Sequence, residues 1–328
     1  MSTPDTILSV RNLSVQLPHR AGLVHAVRDV SFDIRRGETV CVVGESGCGK
    51  SMTAMAVLNL LPRGARREAT AIEFLGEPIH TAPESRLRQL RGDRIGTIFQ
   101  EPLTALNPLL TVGDQLMEVY RRHRPRRQHE ARARALDMLA QVGIPRPVER
   151  LGQYPHQLSG GLRQRIVIAM ALMCEPALIV ADEPTTALDV TIQAQILRLL
   201  VDLKDKFGVA LLLITHDLAV ASRVADKVVV MYAGEVVEQA STAAFFAVPK
   251  HPYATGLLGC LPSVSAERSG APLQVIPGTV PSLVGGVAGC GFRERCRLAL
   301  AECQRDIPLV SNSSRSVRCI RADLGDSV

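Results

Sequence analysis

The sequence predicts an α/β fold, with a core of parallel strands and helices, an antiparallel β subdomain before it and a small extension after it. Short, continuous apolar runs cover residues 38–44, 177–182 and 209–215, as expected for parallel strands buried on both faces. Helical patterns at residues 51–61 and 191–207 lie between these runs. The alternation of strands and helices is typical of a doubly wound α/β core.

Three further segments complete the predicted architecture. Residues 7–36 contain short apolar runs separated by polar turns, which favour antiparallel strands. Residues 114–142 are typical of two helices with Pro125 between them, and form a predicted helical insertion. After Gln239 prolines, glycines and serines become frequent, so we place a domain boundary near residue 240. The predicted domains are residues 1–240, with a helical subdomain at about residues 101–160, and residues 241–328.

The composition indicates a globular protein. Of the 328 residues, 46% are hydrophobic and 21% are charged, which is ordinary for a chain with a sizeable core. The net charge of +6 is too small to indicate a nucleic-acid partner by itself. No targeting segment is visible, and the longest apolar stretch is interrupted by Glu175 and Pro176. Because a helix needs roughly 20 apolar residues to span a bilayer, we expect a soluble or peripheral protein, cytosolic by default.

The segment GESGCGKS at residues 44–51 fits the pattern G-x-x-x-x-G-K-[ST] of a phosphate-binding loop. It follows a predicted strand and begins a predicted helix, so its backbone N–H groups can surround the phosphates of ATP. Lys50 would contact the terminal phosphates, and the Ser51 hydroxyl would hold Mg²⁺. The other candidate nucleotide contacts come from the same loop and the residue after it: Gly44, Ser46, Gly47, Cys48, Gly49 and Met52.

Two carboxylates follow the predicted strand at residues 177–182. Asp182 stands at the carboxyl end of this strand, where open α/β sheets bind their ligands, and would hold Mg²⁺. Glu183 is one residue further along and could polarise the attacking water. The alternative is that both carboxylates only cap a helix that begins after Pro184.

Three other segments are candidates for the same site. Gln100 ends the apolar stretch at residues 95–99 and could contact both Mg²⁺ and the attacking water. His216 follows the third predicted strand and could hydrogen-bond the γ-phosphate. The segment LSGGLRQR at residues 158–165 is a second glycine-rich anion site at a helix start, with Ser159, Gly160 and Gly161 as its contacts. Two such segments indicate that one ATP is held between two surfaces.

The order of GESGCGKS, Gln100, LSGGLRQR, LIVADEP, TALD and His216 resembles the ATP-binding subunit of ABC transporters over roughly residues 7–240. This resemblance implies a head-to-tail dimer of two ATPase subunits. In that dimer Ser159, Gly160 and Gly161 of one subunit would contact the γ-phosphate held by Lys50 of the other. Asp189, in TALD, would lie at the dimer seam. A role for Asp189 as a helix cap is a compatible alternative.

A narrower likeness covers FQEPLTALNP, YPHQLSGGLRQR, HPYATGLL and the tail from residue 277 to residue 319. These segments resemble the oligopeptide/dipeptide import ATPases, a subfamily that also includes nickel importers and some sugar importers. The resemblance implies peptide import at the cytoplasmic face of the inner membrane. The implied partners are a second, paralogous ATPase subunit, two transmembrane permease subunits and an extracytoplasmic solute-binding protein. Leu17 stands where the family usually has an aromatic residue that stacks on adenine.

Three alternative functions stay open. The same machinery could import nickel or another small solute. The chain could instead be a soluble ABC-type ATPase that acts on nucleic acid or ribosomes, or a redox-sensing regulatory ATPase. The basic run at residues 121–134 lacks the interleaved aromatic residues that single-strand binders use for stacking, so we interpret it as a solvated helix face and expect no nucleic-acid partner.

Four of the eight cysteines lie in the tail with the spacing C-x5-C-x6-C-x15-C: Cys290, Cys296, Cys303 and Cys319. Four thiolates can hold a [4Fe–4S] cluster or a zinc ion, and the resemblance to peptide importers favours the cluster. Zinc and free, packing thiols are the alternatives. Arg293, Arg295 and Arg297 surround Cys296 and could stabilise thiolates, unless they form a solvated basic face.

Cys41, Cys48 and Cys174 lie among apolar or glycine neighbours, and we interpret them as small packing residues.

Overall fold

The computed structural model describes residues 5–186, 188–261 and 275–322. These residues form two compact units. The first unit holds residues 5–7, 34–39, 75–186 and 188–213, and the second holds residues 8–33, 40–74, 214–261 and 275–322.

The strands, in chain order, are β1 (Thr6–His19), β2 (Gly22–Arg35), β3 (Thr39–Val43), β4 (Arg66–Glu68), β5 (Ala71–Phe74), β6 (Glu77–Pro78), β7 (Ile95–Ile98), β8 (Leu178–Asp182), β9 (Ala210–Thr215), β10 (Lys227–Tyr232), β11 (Glu235–Ser241), β12 (Val310–Ser311) and β13 (Arg315–Val317). The α-helices are α1 (Lys50–Val57), α2 (Glu84–Leu90), α3 (Pro102–Ala105), α4 (Val112–His123), α5 (Ala131–Gln141), α6 (Pro147–Leu151), α7 (Gly160–Leu172), α8 (Val190–Phe207), α9 (Leu218–Val224), α10 (Thr242–Ala247) and α11 (Pro252–Gly259). Turns of 3-10 helix lie at Pro125–Glu130, Pro155–Gln157, Arg293–Arg295 and Ala301–Gln304.

The second unit begins with an antiparallel sheet. Strand β1 pairs with β4 and β5, and β2 lies on its other side. Apolar side chains alternate inward along β1, and the alternation shifts by one residue at Asn12, whose φ of 49° marks an irregularity in the strand. The antiparallel prediction is therefore confirmed, with two strands of 14 residues each instead of the short strands expected.

The phosphate loop and the tail share the other sheet of the second unit. Strand β3 runs parallel to β10, and a tight turn at Ala233 and Gly234 returns β10 antiparallel to β11. Near the end of the chain, β13 pairs antiparallel with β11, and β12 pairs with β13. The tail thus adds strands to the sheet that carries the loop. Residue 240 falls inside β11, and the proposed domain boundary stays a prediction.

The first unit contains the acidic strand and the helical insertion. Strand β8 is buried along its whole length and runs parallel to β7, with β9 as its other neighbour. The two helices predicted in residues 114–142 are α4 and α5, and the 3-10 turn Pro125–Glu130 separates them. A capping box between Thr111 and Asp114 fixes the start of α4.

One helix boundary differs from the prediction, and one alternative interpretation is wrong. Helix α1 ends at Val57, because the chain turns at Asn59 with a φ of 53°. The helix predicted at residues 191–207 is α8, which begins at Val190, and its cap is Asp189 instead of Asp182 or Glu183. The alternative that these two carboxylates only cap that helix is therefore wrong. Within the described ranges, no helix is both long and apolar enough to cross a bilayer.

Candidate functional site

The phosphate loop lies between β3 and α1, as its sequence context predicts. Its backbone can pass here only with glycine at two positions. A Cβ at Gly44, where φ is 153°, would lie 2.2 Å from the carbonyl oxygen of Met231, and a Cβ at Gly49, where φ is 101°, would lie 2.3 Å from that of Ala26. The loop is therefore held tightly against the strands around it.

Lys50 is folded into this loop. Its side chain is buried, and its ammonium group donates to the carbonyl oxygens of Gly44 at 2.8 Å and Glu45 at 3.0 Å. Burial also raises the pKa of the neighbouring Cys48 thiol, so this thiol stays neutral. Lys50 is the only basic residue of the loop GESGCGKS, so its ammonium group is the loop's only full positive charge. Ser51 and Met52 follow it in the first turn of α1.

Two predicted site residues of the first unit, Gln100 and Glu183, are in contact at the end of the acidic strand β8. Asp182 is buried at the end of β8. One carboxylate oxygen of Glu183 accepts from the amide nitrogen of Gln100 at 3.2 Å and from the Thr186 hydroxyl at 2.8 Å. Glu183 has a φ of 45°, in the left-handed region that costs a residue with a Cβ about 1 kcal/mol or more. Such strain is common at functional positions, and here it directs the carboxylate toward Gln100.

The Ser159 segment stands exposed at the start of α7, a helix of 13 residues. Within the described part of the chain, the Ser159 side chain makes no capping hydrogen bond, so its hydroxyl stays available to a ligand. A Cβ at Gly161 would come within 3.0 Å of Ile192, so glycine lets α7 pack closely against α8. This geometry suits an anion, because backbone N–H groups and the helix dipole point outward at the same place.

Asp189 and His216 both stand at exposed helix or strand ends. The Asp189 carboxylate accepts from the amide nitrogen of Ile192 at 2.9 Å, which confirms its interpretation as a helix cap. His216 follows β9 in the second unit and is exposed, and the next residue, Asp217, caps α9. The structure therefore leaves the imidazole of His216 at the carboxyl end of its strand, as predicted.

The four tail cysteines line one small cavity of about 10 Å³. The backbone nitrogen of Cys290 donates to the carbonyl oxygen of Cys303 at 2.9 Å, which draws the two ends of the cysteine segment together. Burial, followed by the charges of the other three sulfurs, raises the pKa of Cys290 to about 11. Burial likewise raises the pKa of Cys319. The Cys290 and Cys319 thiols are therefore neutral at physiological pH.

This arrangement does not support the predicted metal centre. Among the described residues, no group of three or more His, Cys, Asp or Glu side chains is arranged to hold a metal ion. A cavity of about 10 Å³ has room for about one water molecule, which is less than a cluster requires. The prediction of an iron–sulfur site at Cys290, Cys296, Cys303 and Cys319, and the zinc alternative, thus gain no support from the structure. Cys41, Cys48 and Cys174 are buried, as expected of packing residues.

Two family models match this chain. The model described as "ABC transporter" matches residues 27–186. The model described as "Oligopeptide/dipeptide transporter, C-terminal region" matches residues 237–303.

Curated relatives match almost the whole chain. The dipeptide transport ATP-binding protein DppD of Bacillus subtilis (strain 168) is 49% identical over 96% of this chain and 94% of the relative. The probable D,D-dipeptide transport ATP-binding protein DdpD of Escherichia coli (strain K12) is 49% identical over 95% of each chain. The chain belongs to the ABC transporter family. The predicted resemblance is confirmed, and these relatives give no support to an ATPase acting on nucleic acid or ribosomes.

Solved structures show the same fold as this ABC ATPase. The ATP-binding cassette MJ0796, in a dimeric post-hydrolysis state bound to ADP and Pi, superimposes with a TM-score of 0.63 and 28% identity, over 72% of this chain and 98% of that chain. The structure of cbiO1 from Clostridium perfringens gives a TM-score of 0.62 and 28% identity, over 74% of this chain and 91% of that chain. The predicted α/β fold is confirmed.

The basic residues of this ABC ATPase do not all behave as predicted. Arg121 and Arg122 are exposed on α4, but Arg124 pairs with Asp93 and donates to the carbonyl oxygen of Cys174. Arg134 binds Asp137 and Glu175. The interpretation as a solvated helix face therefore holds for part of the run and is wrong for Arg124 and Arg134, which tie the insertion together.

Sequence reasoning also missed three residues around the phosphate loop. The side chain of Arg295 is 7% exposed and forms an ion pair with Glu45, so neither thiolate stabilisation nor a solvated face describes it. The Tyr253 hydroxyl accepts from the backbone nitrogen of Glu45 at 2.9 Å. The acidic residue in the second position of GESGCGKS was the available signal, since a carboxylate among phosphate-binding groups needs a cation nearby.

Proposed function

We propose that this ABC ATPase hydrolyses ATP to energise the import of dipeptides or oligopeptides across the cytoplasmic membrane. The observation that carries the proposal is the match along almost the whole chain, 96% and 93% of it, to two proteins named for dipeptide transport. The tail alone matches the C-terminal region described for oligopeptide/dipeptide transporters, which supports peptides over nickel or another small solute.

ATP binds, in this proposal, to the loop at residues 44–51. The backbone N–H groups of Gly44, Ser46, Gly47, Cys48, Gly49 and Met52 are assigned to its phosphates. Lys50 supplies the compact positive charge, and its burial in the loop strengthens the attraction. Ser51, Gln100 and Asp182 are assigned to Mg²⁺, which neutralises phosphate charge when it is bound; their oxygen atoms are the donors that Mg²⁺ prefers.

Hydrolysis is mainly a matter of position and charge. Glu183 orients the attacking water, and the hydrogen bond from Gln100 holds its carboxylate in one direction. His216 is assigned to the γ-phosphate. These groups lower the activation barrier of hydrolysis because they are already in position before negative charge develops on the phosphate in the transition state.

Two ATPase subunits work together in this proposal. Ser159, Gly160 and Gly161 of one subunit contact the γ-phosphate held by the other, and Asp189 lies at the seam. The exposed helix start at Ser159 supports this, since its hydroxyl is not used as a cap among the described residues. ATP closes the pair, and hydrolysis with product release reopens it; this difference drives two membrane permease subunits. A solute-binding protein delivers the peptide, the second ATPase is a paralogue, and the complex lies at the cytoplasmic face of the inner membrane.

The four tail cysteines hold a [4Fe–4S] cluster in this proposal, with a structural or sensing role. The chemistry of the donors carries it, since four thiolates are a complete ligand set for such a cluster; the arrangement of the described residues gives it no support. The cavity must widen to admit the cluster. Anaerobically purified protein should contain iron and sulfide and absorb in the visible region, and a Cys296→Ser variant should lose both. Wild-type protein without iron would refute the cluster and leave the peptide-import proposal intact.

The decisive test uses proteoliposomes with the complete importer. We expect ATP hydrolysis to rise when the solute-binding protein is added with a dipeptide, and not when it is added with Ni²⁺. A Lys50→Ala complex should neither bind ATP nor take up labelled peptide. If only Ni²⁺ stimulated ATP hydrolysis, the cargo would be nickel instead of peptides. Full peptide uptake by the Lys50→Ala complex would refute ATP binding at this loop.

A further inference from the structure

The phosphate loop of this protein carries a carboxylate that is bound by the tail. The Glu45 side chain is 26% exposed and receives both terminal nitrogens of Arg295, with N–O distances of 2.7 and 3.1 Å. A bidentate pair of this kind fixes orientation as well as distance, because the planar guanidinium matches the planar carboxylate. Arg295 belongs to the 3-10 turn just before Cys296.

Arg295 is itself held by several partners in the same unit. Its guanidinium donates to the Tyr232 hydroxyl at 3.2 Å and to the carbonyl oxygens of Ile276 at 3.1 Å and Pro277 at 2.8 Å. The side chain is thus surrounded by acceptors in one position. Lysine cannot reproduce this pattern, since it has no planar fork of donors.

The backbone of Glu45 is held from the tail as well. Its N–H group donates to the hydroxyl of Tyr253, which lies in α11. The Tyr253 ring packs against Tyr232, with 4.5 Å between ring centroids, and against Phe292, with 5.3 Å. Burial raises the pKa of Tyr253, so the hydroxyl stays neutral and can accept this bond. One loop residue is therefore anchored twice by residues that follow β11.

The anchored residue is also the one that holds Lys50. The Lys50 ammonium donates to the carbonyl oxygen of Glu45 at 3.0 Å. A shift of Glu45 therefore moves both a backbone N–H group of the loop and the carbonyl that positions the lysine. Small displacements of this kind weaken phosphate binding, because the donors must all point to the same place.

We propose that Arg295 is a positioning residue for the phosphate loop, so that the tail sets the affinity of this protein for ATP. The inference rests on the proposed binding of ATP at residues 44–51. Arg295 acts through Glu45 and does not itself contact the nucleotide. The tail is in this view part of the nucleotide site, and a change in the tail alters the ATP concentration at which the importer works.

The test compares steady-state ATP hydrolysis by the full complex carrying Arg295→Gln, Glu45→Gln or both substitutions. We expect the KM for ATP to rise about tenfold in each single variant, the effect of losing one charge-assisted pair, while kcat changes less than about twofold. The double variant should be no worse than either single one, because both remove the same contact. Arg295→Lys should recover only part of the affinity. Arg297→Gln is the matched control, since Arg297 is exposed two residues further along, and its KM should equal that of wild type.

Each outcome decides the inference. An unchanged KM in folded Arg295→Gln and Glu45→Gln proteins overturns it, as do single effects that add in the double variant. A loss of kcat in parallel with a lower melting temperature overturns it too, because that pattern indicates a purely structural residue. Glu45→Gln keeps the test valid if Arg295→Gln fails to fold, since Glu45 is partly exposed and an amide is readily solvated there. If wild type and Lys50→Ala bind ATP equally, the proposed function itself is refuted.

Discussion

The amide nitrogen of Gln100 donates to the Glu183 carboxylate at 3.2 Å, and this bond joins the ends of two parallel strands. Gln100 comes two residues after β7, and Glu183 comes directly after β8. Because β7 and β8 run in the same direction, their carboxyl ends meet at one edge of the sheet. A displacement of Gln100 would therefore also move the carboxylate of Glu183, the residue proposed to orient the attacking water.

Replacing Glu183 by Gln should separate ATP binding from turnover. The variant keeps the shape of the side chain but removes the charge that orients the water, so hydrolysis should fall by at least about a hundredfold while ATP affinity is retained. The closed dimer should accumulate in ATP, which size-exclusion chromatography measures. Glu175→Gln is the matched control, because Glu175 also has a positive φ, of 54°, and should turn over normally. Normal turnover in Glu183→Gln would contradict the assignment.

Ser159→Ala should abolish cooperation between subunits without loss of stability. The Ser159 side chain does not cap α7 among the described residues, so the free energy of unfolding should change little. Loss of one donor to the γ-phosphate should lower kcat by about a hundredfold, with ATP binding to the isolated subunit unchanged. Thr111→Ala is the contrasting variant: it removes a real cap, costs about 1 kcal/mol and leaves kcat alone. A Ser159→Ala complex with full activity would rule out the shared site.

Gly289→Ala should loosen the cysteine segment. Gly289 has a φ of 68°, and a Cβ there would lie 2.4 Å from the carbonyl oxygen of Cys303, which the backbone nitrogen of Cys290 binds. We expect a loss of about 2 kcal/mol or more in the free energy of unfolding. Gly285→Ala is the control, because φ is 77° there and a Cβ would meet no described atom within 4 Å, so only about 1 kcal/mol of backbone strain is added. Equal losses of unfolding free energy in the two variants would show that the close approach of residue 289 to the Cys303 carbonyl oxygen does not contribute to stability.

Arg124→Gln should destabilise the helical insertion. Arg124 pairs with Asp93 and donates to the carbonyl oxygen of Cys174, so its loss leaves a partly buried carboxylate without its cation. We expect a cost of about 1–3 kcal/mol in a denaturant titration. Arg121→Gln, on the exposed part of the same run, should stay within about 0.5 kcal/mol of wild type. If both variants unfold like wild type, the whole run is a solvated face after all.

Much of the nucleotide site could be predicted because local sequence carries it. The loop at residues 44–51 needs glycines in fixed places, and the strands before Asp182 and His216 are recognisable as short apolar runs. The position of Asp189 as a cap also follows from its place before a helical pattern. What could not be predicted was the length of the first two strands and the early end of α1, since such boundaries depend on tertiary pairing.

The tail shows most clearly where prediction from sequence ended. Its cysteine spacing indicated a metal centre, but spacing fixes only which sulfurs are available and not how far apart the folded chain holds them. Arg295 and Glu45 are 250 residues apart in the chain, and no periodicity or motif connects residues at such a distance.

The chain order of the loop, the acidic strand and the Ser159 segment determined by itself that this protein belongs to an ATP-binding family, because each motif is a local solution to the binding of phosphate. The tertiary structure alone decided that the tail adds strands to the loop's sheet and that Arg295 reaches Glu45. Such pairings depend on which distant surfaces pack together, and packing is a property of the folded chain.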